Sequence, residues 1–188
     1  EKGLETLSLD LAMGYIERMD ARSSRLSALE QYTEHYFLLR RADSPQGDGL
    51  RIGQPLTWQQ AGRFPLCLLT PEMHNRTIVD AALRQAGMHV APAMETNSIL
   101  AMALSVVQGQ MCGILPGALV GAVRSDPALE ALPLVEPEVR TPIGFMYNAQ
   151  MRPSRALQAA MDLARDAHWL QHAAMHSGML TSPVAGSA

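Results

Sequence analysis

The 188 residues predict an α/β fold, and three features carry that expectation. Short apolar runs of strand character alternate with stretches of helical periodicity. The junctions hold residues that start and stop helices: Thr57, the Thr96-Asn97-Ser98 cluster and Pro153 ahead of periodic stretches, and Gly62, Gly87 and Gly109 behind them. A hydrophobic content of 47% against 18% charge is that of a globular chain, long enough to bury a core as one domain or two small lobes.

Taken in order, residues 4–7 read as the tail of a helix, followed by the strand Leu9-Asp10-Leu11-Ala12-Met13-Gly14-Tyr15. Residues 18–27 are polar and loop-like. A strand pair is expected around residues 26–32 and 34–41, the second carrying Tyr36, Phe37, Leu38 and Leu39. Asp43-Ser44-Pro45-Gln46-Gly47-Asp48-Gly49 is dense in turn formers and marks the expected boundary or crossover. Thr57-Trp58-Gln59-Gln60 is a capping-box pattern, predicting a short helix that Gly62 ends. Residues 64–69 form a compact buried strand. Residues 70–75 lead into a helix over residues 76–85, where Ile78, Val79, Ala82 and Leu83 make an apolar stripe.

Residues 90–94 read as a strand feeding Glu95. The run from Ile99 through Leu100, Met102, Ala103, Leu104, Val106 and Val107 is apolar enough to predict a largely buried helix. Cys112-Gly113-Ile114-Leu115-Pro116 reads as a short buried strand broken by proline. A short helix at residues 118–123, an edge-like segment at 132–135 and a strand at 143–147 follow. Pro153 opens a last long helix over residues 154–172, and residues 177–188 read as a frayed tail.

A net charge of −3 argues against a segment that grips duplex DNA by itself, because such segments need a basic patch to neutralise phosphates. No apolar run reaches membrane-spanning length, and no signal peptide is visible; the chain does not begin with Met, so an upstream segment is expected. Cys67 and Cys112 both sit in apolar strand-like runs, which reads as buried free thiols in a reducing, cytoplasmic compartment.

Four landmarks in fixed order resemble one family. They are Leu9-Asp10-Leu11-Ala12-Met13-Gly14, the stretch from Trp58 to Thr70, Glu95-Thr96-Asn97-Ser98, and Gly109-Gln110-Met111-Cys112-Gly113-Ile114-Leu115-Pro116. Together they are similar to the effector-binding domain of LysR-type transcriptional regulators. That resemblance implies a two-lobed, periplasmic-binding-protein-like (type II) α/β fold with two crossover strands and a ligand held between the lobes. Lobe one would comprise residues 1–51 and 137–176, and lobe two residues 52–136. The family's N-terminal winged helix-turn-helix and the first strand–helix–strand of lobe one have no counterpart here. Trp58-Gln59-Gln60 departs from the family's commoner acidic pattern.

The resemblance implies a site lined by Gly14 and Tyr15 from lobe one and by Thr70, Pro71, Glu72, Thr96, Asn97, Ser98, Leu115 and Pro116 from lobe two. It implies a small-molecule effector and DNA contact only through the absent winged helix-turn-helix. It further implies a homodimer or homotetramer, no membrane partner, no cofactor and no enzymatic activity. The stripe at residues 78–83 would then pair with a lobe-one helix of a second subunit. A physical argument for the Thr96–Ser98 cluster is independent of the family. Hydroxyl, amide and free backbone N–H groups converge at one helix start, where the macrodipole favours negative charge by about 0.3–1 kcal/mol. The simpler alternative is that Thr96 or Asn97 only caps the helix. A solute-binding protein of the same fold is the runner-up reading.

Other constellations have plainer explanations. His168, His172 and His176 recur every four residues, a spacing that can hold Zn²⁺, but no carboxylate or cysteine completes a set and a solvated face is the simpler reading. Glu72, His74 and Asn75 suit a helix entrance better than acid–base chemistry, since no nucleophile elbow or paired carboxylates accompany them.

Overall fold

The computed structural model of the chain describes residues 2–19, 25–44 and 47–174. The elements, in order, are α1 (Lys2–Glu5), β1 (Leu11–Tyr15), a 3-10 turn (Ile16–Arg18), β2 (Leu26–Glu34), β3 (Tyr36–Arg41), β4 (Arg51–Ile52) and β5 (Leu56–Thr57). There follow α2 (Trp58–Ala61), β6 (Leu66–Leu69), α3 (His74–Gln85), β7 (Met94–Thr96), α4 (Ile99–Val107), β8 (Cys112–Pro116) and α5 (Gly117–Gly121). The described chain ends with β9 (Leu129–Val135), β10 (Thr141–Asn148), α6 (Arg155–Arg165) and α7 (Ala167–Ala174).

These elements form two compact units, joined where the chain passes from Glu34 to His35 and returns from Val139 to Arg140. The first unit is a three-stranded antiparallel sheet in the order β1-β10-β2. Helices α6 and α7 dock on it through Gln31, whose Nε2 donates to the Ala164 carbonyl at 3.1 Å while its Oε1 accepts from Trp169 Nε1 at 2.6 Å. The second unit is a seven-stranded mixed sheet in the order β4-β9-β3-β8-β6-β7, with β5 also paired to β9.

Side-chain alternation along these strands builds two cores, one on each face of the second sheet. Tyr36, Leu38, Leu66, Leu68, Cys112 and Ile114 pack with Trp58 of α2 and Val79 and Leu83 of α3 on one face. Phe37, Leu39, Cys67, Leu69 and Leu115 pack with Met102 and Val106 of α4 and Val120 of α5 on the other. The capping box forms as its pattern predicts: Thr57 Oγ1 accepts from Gln60 N–H, and Gln60 Oε1 accepts from Thr57 N–H. Gly87 and Gly109 follow α3 and α4 at φ of +76° and +93°, backbone that glycine adopts without strain.

Several expectations are corrected. The two strands around residues 26–41 do not pair with each other. β2 pairs with β10 in the first unit, whereas β3 lies between β8 and β9 in the second. The passage between units therefore falls at Glu34–His35, not in the turn-rich stretch that starts at Asp43, and residues 35–51 pack with the second unit because Phe37 to Arg41 hydrogen-bond into its sheet. The segment at 132–135 is the end of the longer strand β9, where Leu132 and Pro133 pair with β3 and Leu134 and Val135 with β5, so each residue there has a single strand partner. Pro133 is accommodated opposite Phe37 because β4 ends its pairing at Ala131 and β5 begins at Leu134.

The last long helix is two. Asp166 is extended (φ −65°, ψ 131°), and its carboxylate accepts from the Trp169 N–H at 2.9 Å, capping α7 afresh. Helix α4 is only half-buried, with Leu100 and Leu104 68% and 54% exposed. The stripe of α3 is spent inside its own unit: Val79, Ala82 and Leu83 are buried and Ile78 packs against them, so that face cannot receive a second subunit. The strand expected at residues 90–94 forms later, at Met94–Thr96. Residues 177–188 and His176 lie outside the described residues; His168 and His172 both stand on α7, and no cluster of three potential metal ligands occurs among the described residues. No described helix is long and apolar enough to cross a membrane.

Candidate functional site

Parallel pairing of β6 with β7 sets Leu69 opposite Thr96 and brings the two strand ends together. The Thr70 N–H donates to the Thr96 carbonyl at 3.1 Å, extending the ladder one residue beyond the sheet. Each strand then feeds a helix, α3 after residues 70–73 and α4 after residues 97–98. Carboxyl ends of parallel strands followed by helix starts are where open α/β sheets hold ligands. Two hydroxyls and two helix N-termini therefore gather from residues 26 positions apart in sequence.

The local bonds decide what each residue does. Ser98 is the N-cap of α4, its Oγ accepting from Ala101 N–H at 3.3 Å. Thr96 Oγ1 accepts from Ser98 N–H at 3.1 Å, so the capping role falls to Ser98, with Thr96 bracing it. Thr70 Oγ1 donates to Glu72 Oε1 at 2.7 Å, and this hydrogen bond holds the exposed Glu72 carboxyl below the ordinary carboxylate range. Asn97, Ser98, Pro71 and Glu72 are exposed, while Thr70 and Thr96 are half-buried.

Leu115 and Pro116 are placed differently. Leu115 is fully buried in the second core cluster, and the Pro116 ring is buried where β8 meets Tyr36 of β3. Neither presents surface at the strand ends. Gly14 and Tyr15 lie in the first unit, on β1 opposite Gly144 and Ile143 of β10. There, Gly14 and Tyr15 line a cavity of about 480 Å³ with Met13, Arg18, Met19 and Met146. Burial, helped by Glu34 and Tyr15, raises the neighbouring Tyr32 phenol to about 12.

Sequence reasoning missed Arg76. Its Nη1 donates to the Leu69 carbonyl at 2.7 Å and to Glu95 Oε1 at 2.6 Å, and its Nε donates to Asp80 Oδ1 at 2.8 Å. One guanidinium thus ties the last residue of β6 to the residue before Thr96. Burial lowers the Arg76 pKa, but hydrogen bonds and charge from Glu95 and Asp80 outweigh it and the net shift is upward. The available signal was an anomaly: a cation in the first turn of a helix opposes the macrodipole and needs a tertiary reason. Asn75 beside it is 6% exposed and its Nδ2 has no partner among the described residues, so the Asn75-Arg76-Thr77 tripeptide is no accessible glycosylation site.

The match to a family model settles the affiliation: residues 1–169 fit the LysR substrate binding domain. The chain belongs to that family. Its two units joined by two chain passages are accordingly the two-lobed, type II periplasmic-binding-protein-like fold. Among solved structures, the OxyR C206 mutant of Corynebacterium glutamicum is similar at 19% identity and a TM-score of 0.65, covering 92% of this chain and 50% of that one. Full-length CbnR complexed with its target DNA is similar at 16% identity and TM-score 0.66, covering 92% and 55%. The effector binding domain of QuiR in complex with shikimate is similar at 16% identity and TM-score 0.62, covering 87% and 73%. The chain thus spans about half the length of the full-length regulators it resembles. No curated protein matches it.

The family is one of effector-binding domains of transcription regulators and is normally non-enzymatic. Both cysteines are buried free thiols, and they occupy opposite faces of the sheet, Cys67 in one core cluster and Cys112 in the other. Burial pushes the Cys67 thiol up and the Cys112 thiol to about 11.

Proposed function

We propose that the chain binds a small anionic metabolite at the ends of β6 and β7 and that this binding modulates the DNA affinity of a LysR-type regulator. The observation that carries it is the pairing of Thr70 with Thr96 at the strand ends beside the Ser98-capped start of α4, with Arg76 bonded to Leu69 and Glu95 just before them. The Thr96 and Ser98 hydroxyls, which both accept locally, keep their protons for a carboxylate, Thr70 joins them by turning from Glu72, and the helix start favours the ligand's charge. Within the first unit, Gly14 and Tyr15 border a cavity of their own.

A ligand alters the regulator only as far as it prefers one domain geometry over another. DNA contact belongs to a winged helix-turn-helix outside these residues, and the working regulator is a homodimer or homotetramer in the cytoplasm. Since the α3 stripe is buried, pairing between subunits must use other surfaces.

A thermal-shift panel of organic acids that begins with shikimate tests the proposal. A true effector at about a hundred times its Kd adds about 2.7 kcal/mol of stability. Thr96→Val and Thr70→Val should abolish that gain. Ser98→Asn, which keeps an N-cap, separates capping from ligand contact. An acid whose stabilisation survives both threonine substitutions would place the site elsewhere.

A further inference from the structure

A second cavity, of about 370 Å³, lies behind the strand ends in the second unit, between α3 and the segment from Met88 to Ala91. Helix α3 contributes Arg76, Asp80, Leu83 and Arg84 to its lining, and the segment beyond it contributes Met88, His89, Val90 and Ala91, so apolar and charged groups both face the space. Nothing in the proposed effector site uses this space, and its volume falls within the range of small-molecule sites. The Arg84 guanidinium has no ion pair or hydrogen bond among the described residues, unlike that of Arg76, whose charge is met by Asp80 and Glu95.

We infer that this cavity is a second binding site, for a small carboxylate with a branched aliphatic body. Arg84 and the outer edge of the Arg76 guanidinium take the carboxylate, with His89 adding a further donor. Leu83, Met88 and Val90 take the apolar body. The site is coupled to the strand ends by construction. A carboxylate arriving here competes with Asp80 for Arg76, and the same guanidinium holds the Leu69 carbonyl and Glu95 immediately before Thr70 and Thr96.

The test uses 4-methylpentanoate as probe, with acetate and 4-methylpentanamide as controls, and follows the ¹H–¹⁵N spectrum of the 188-residue chain. The expected result is saturable shifts at Arg84, His89, Val90 and Ala91 with 4-methylpentanoate, and none with acetate or the amide. Arg84→Gln weakens them about tenfold, the loss of one charge-assisted hydrogen bond pair. Thr96→Val leaves them unchanged, which separates this site from the strand-end site. Shifts confined to Thr70, Thr96 and Ser98, equal shifts with the amide, or binding indifferent to Arg84→Gln would each overturn the inference. Arg84→Gln lies on an exposed helix face and leaves the core intact, so loss of binding there is not loss of folding.

Discussion

Arg76 meets Glu95 at 2.6 Å, Nη1 to Oε1, and through that contact the start of α3 is fastened to the end of β7. The same nitrogen donates to the Leu69 carbonyl, so one guanidinium bridges β6 and β7. Arg76→Met should lower stability by about 1–3 kcal/mol, because it leaves that carbonyl buried without its donor, while the carboxylates of Asp80 and Glu95 can turn to water. Urea denaturation measures it. Glu95→Gln should cost less than about 1 kcal/mol, since Glu95 is 41% exposed and the bond to Leu69 survives.

Glu130 of β9 carries two arginines. Its Oε2 lies 2.6 Å from Arg40 Nη2 and its Oε1 2.7 Å from Arg51 Nη2, joining β3 and β4 across β9. The carboxylate is almost wholly buried, whereas both arginines reach solvent. Glu130→Gln should therefore destabilise the second unit by about 1–3 kcal/mol, short of the cost of two stranded buried charges. Substituting Arg51 alone should cost less, and hydrogen exchange at β9 amides should report both.

Burial raises the Glu34 carboxyl from 4.5 to about 7. A raised folded-state value means that its contribution is fully present below pH 4.5 and declines as pH rises through 7, after which the charged form is held in the fold at a penalty. Glu34→Gln should match the parent protein near pH 4 and gain on it between pH 5 and 7. The gain is on the order of 3 kcal/mol, taking about 1.4 kcal/mol for each tenfold difference in proton affinity between the folded and unfolded chain. Denaturation curves at several pH values decide the matter; a constant offset at every pH would show that Glu34 does not titrate in this way.

The cysteines give a chemical readout of folding. With Cys67 and Cys112 buried on opposite faces of the sheet, oxidation should not join them, and alkylation by iodoacetamide should be slow in the native chain and rapid in about 6 M urea, roughly in step with unfolding. Mass spectrometry counts the adducts. Fast native labelling of either thiol would contradict that burial.

Much of the candidate site was legible because its signals are local. A capping box needs residues three apart, and Thr57 and Gln60 satisfy each other within one turn. The cluster from Thr96 to Ser98 marks a helix start for the same reason, although only the folded chain distinguishes Ser98, the cap, from Thr96, which supports it. Asp166 is an equally local signal, a capping aspartate inside an apolar period, and the helical periodicity on either side masks it. Leu115, a site residue by family resemblance, has its side chain turned into the core by the pleat, which only the folded chain reveals.

Short-range chemistry thus set the α/β character, the helix caps and stops, and the alternation that buries Leu38 on one face and Leu39 on the other. Partnership was decided at longer range. The placement of β2 and β3 in different sheets, the burial of the α3 stripe within its own unit, and the Arg76–Glu95 contact all depend on strand register between residues far apart in the chain. An apolar stripe has the same pattern whether it meets its own sheet or a second subunit, and an arginine reads as a surface cation until its acceptors are located. The physical reason is that burial and hydrogen bonding reward proximity in space, which the order of residues constrains only within a few turns.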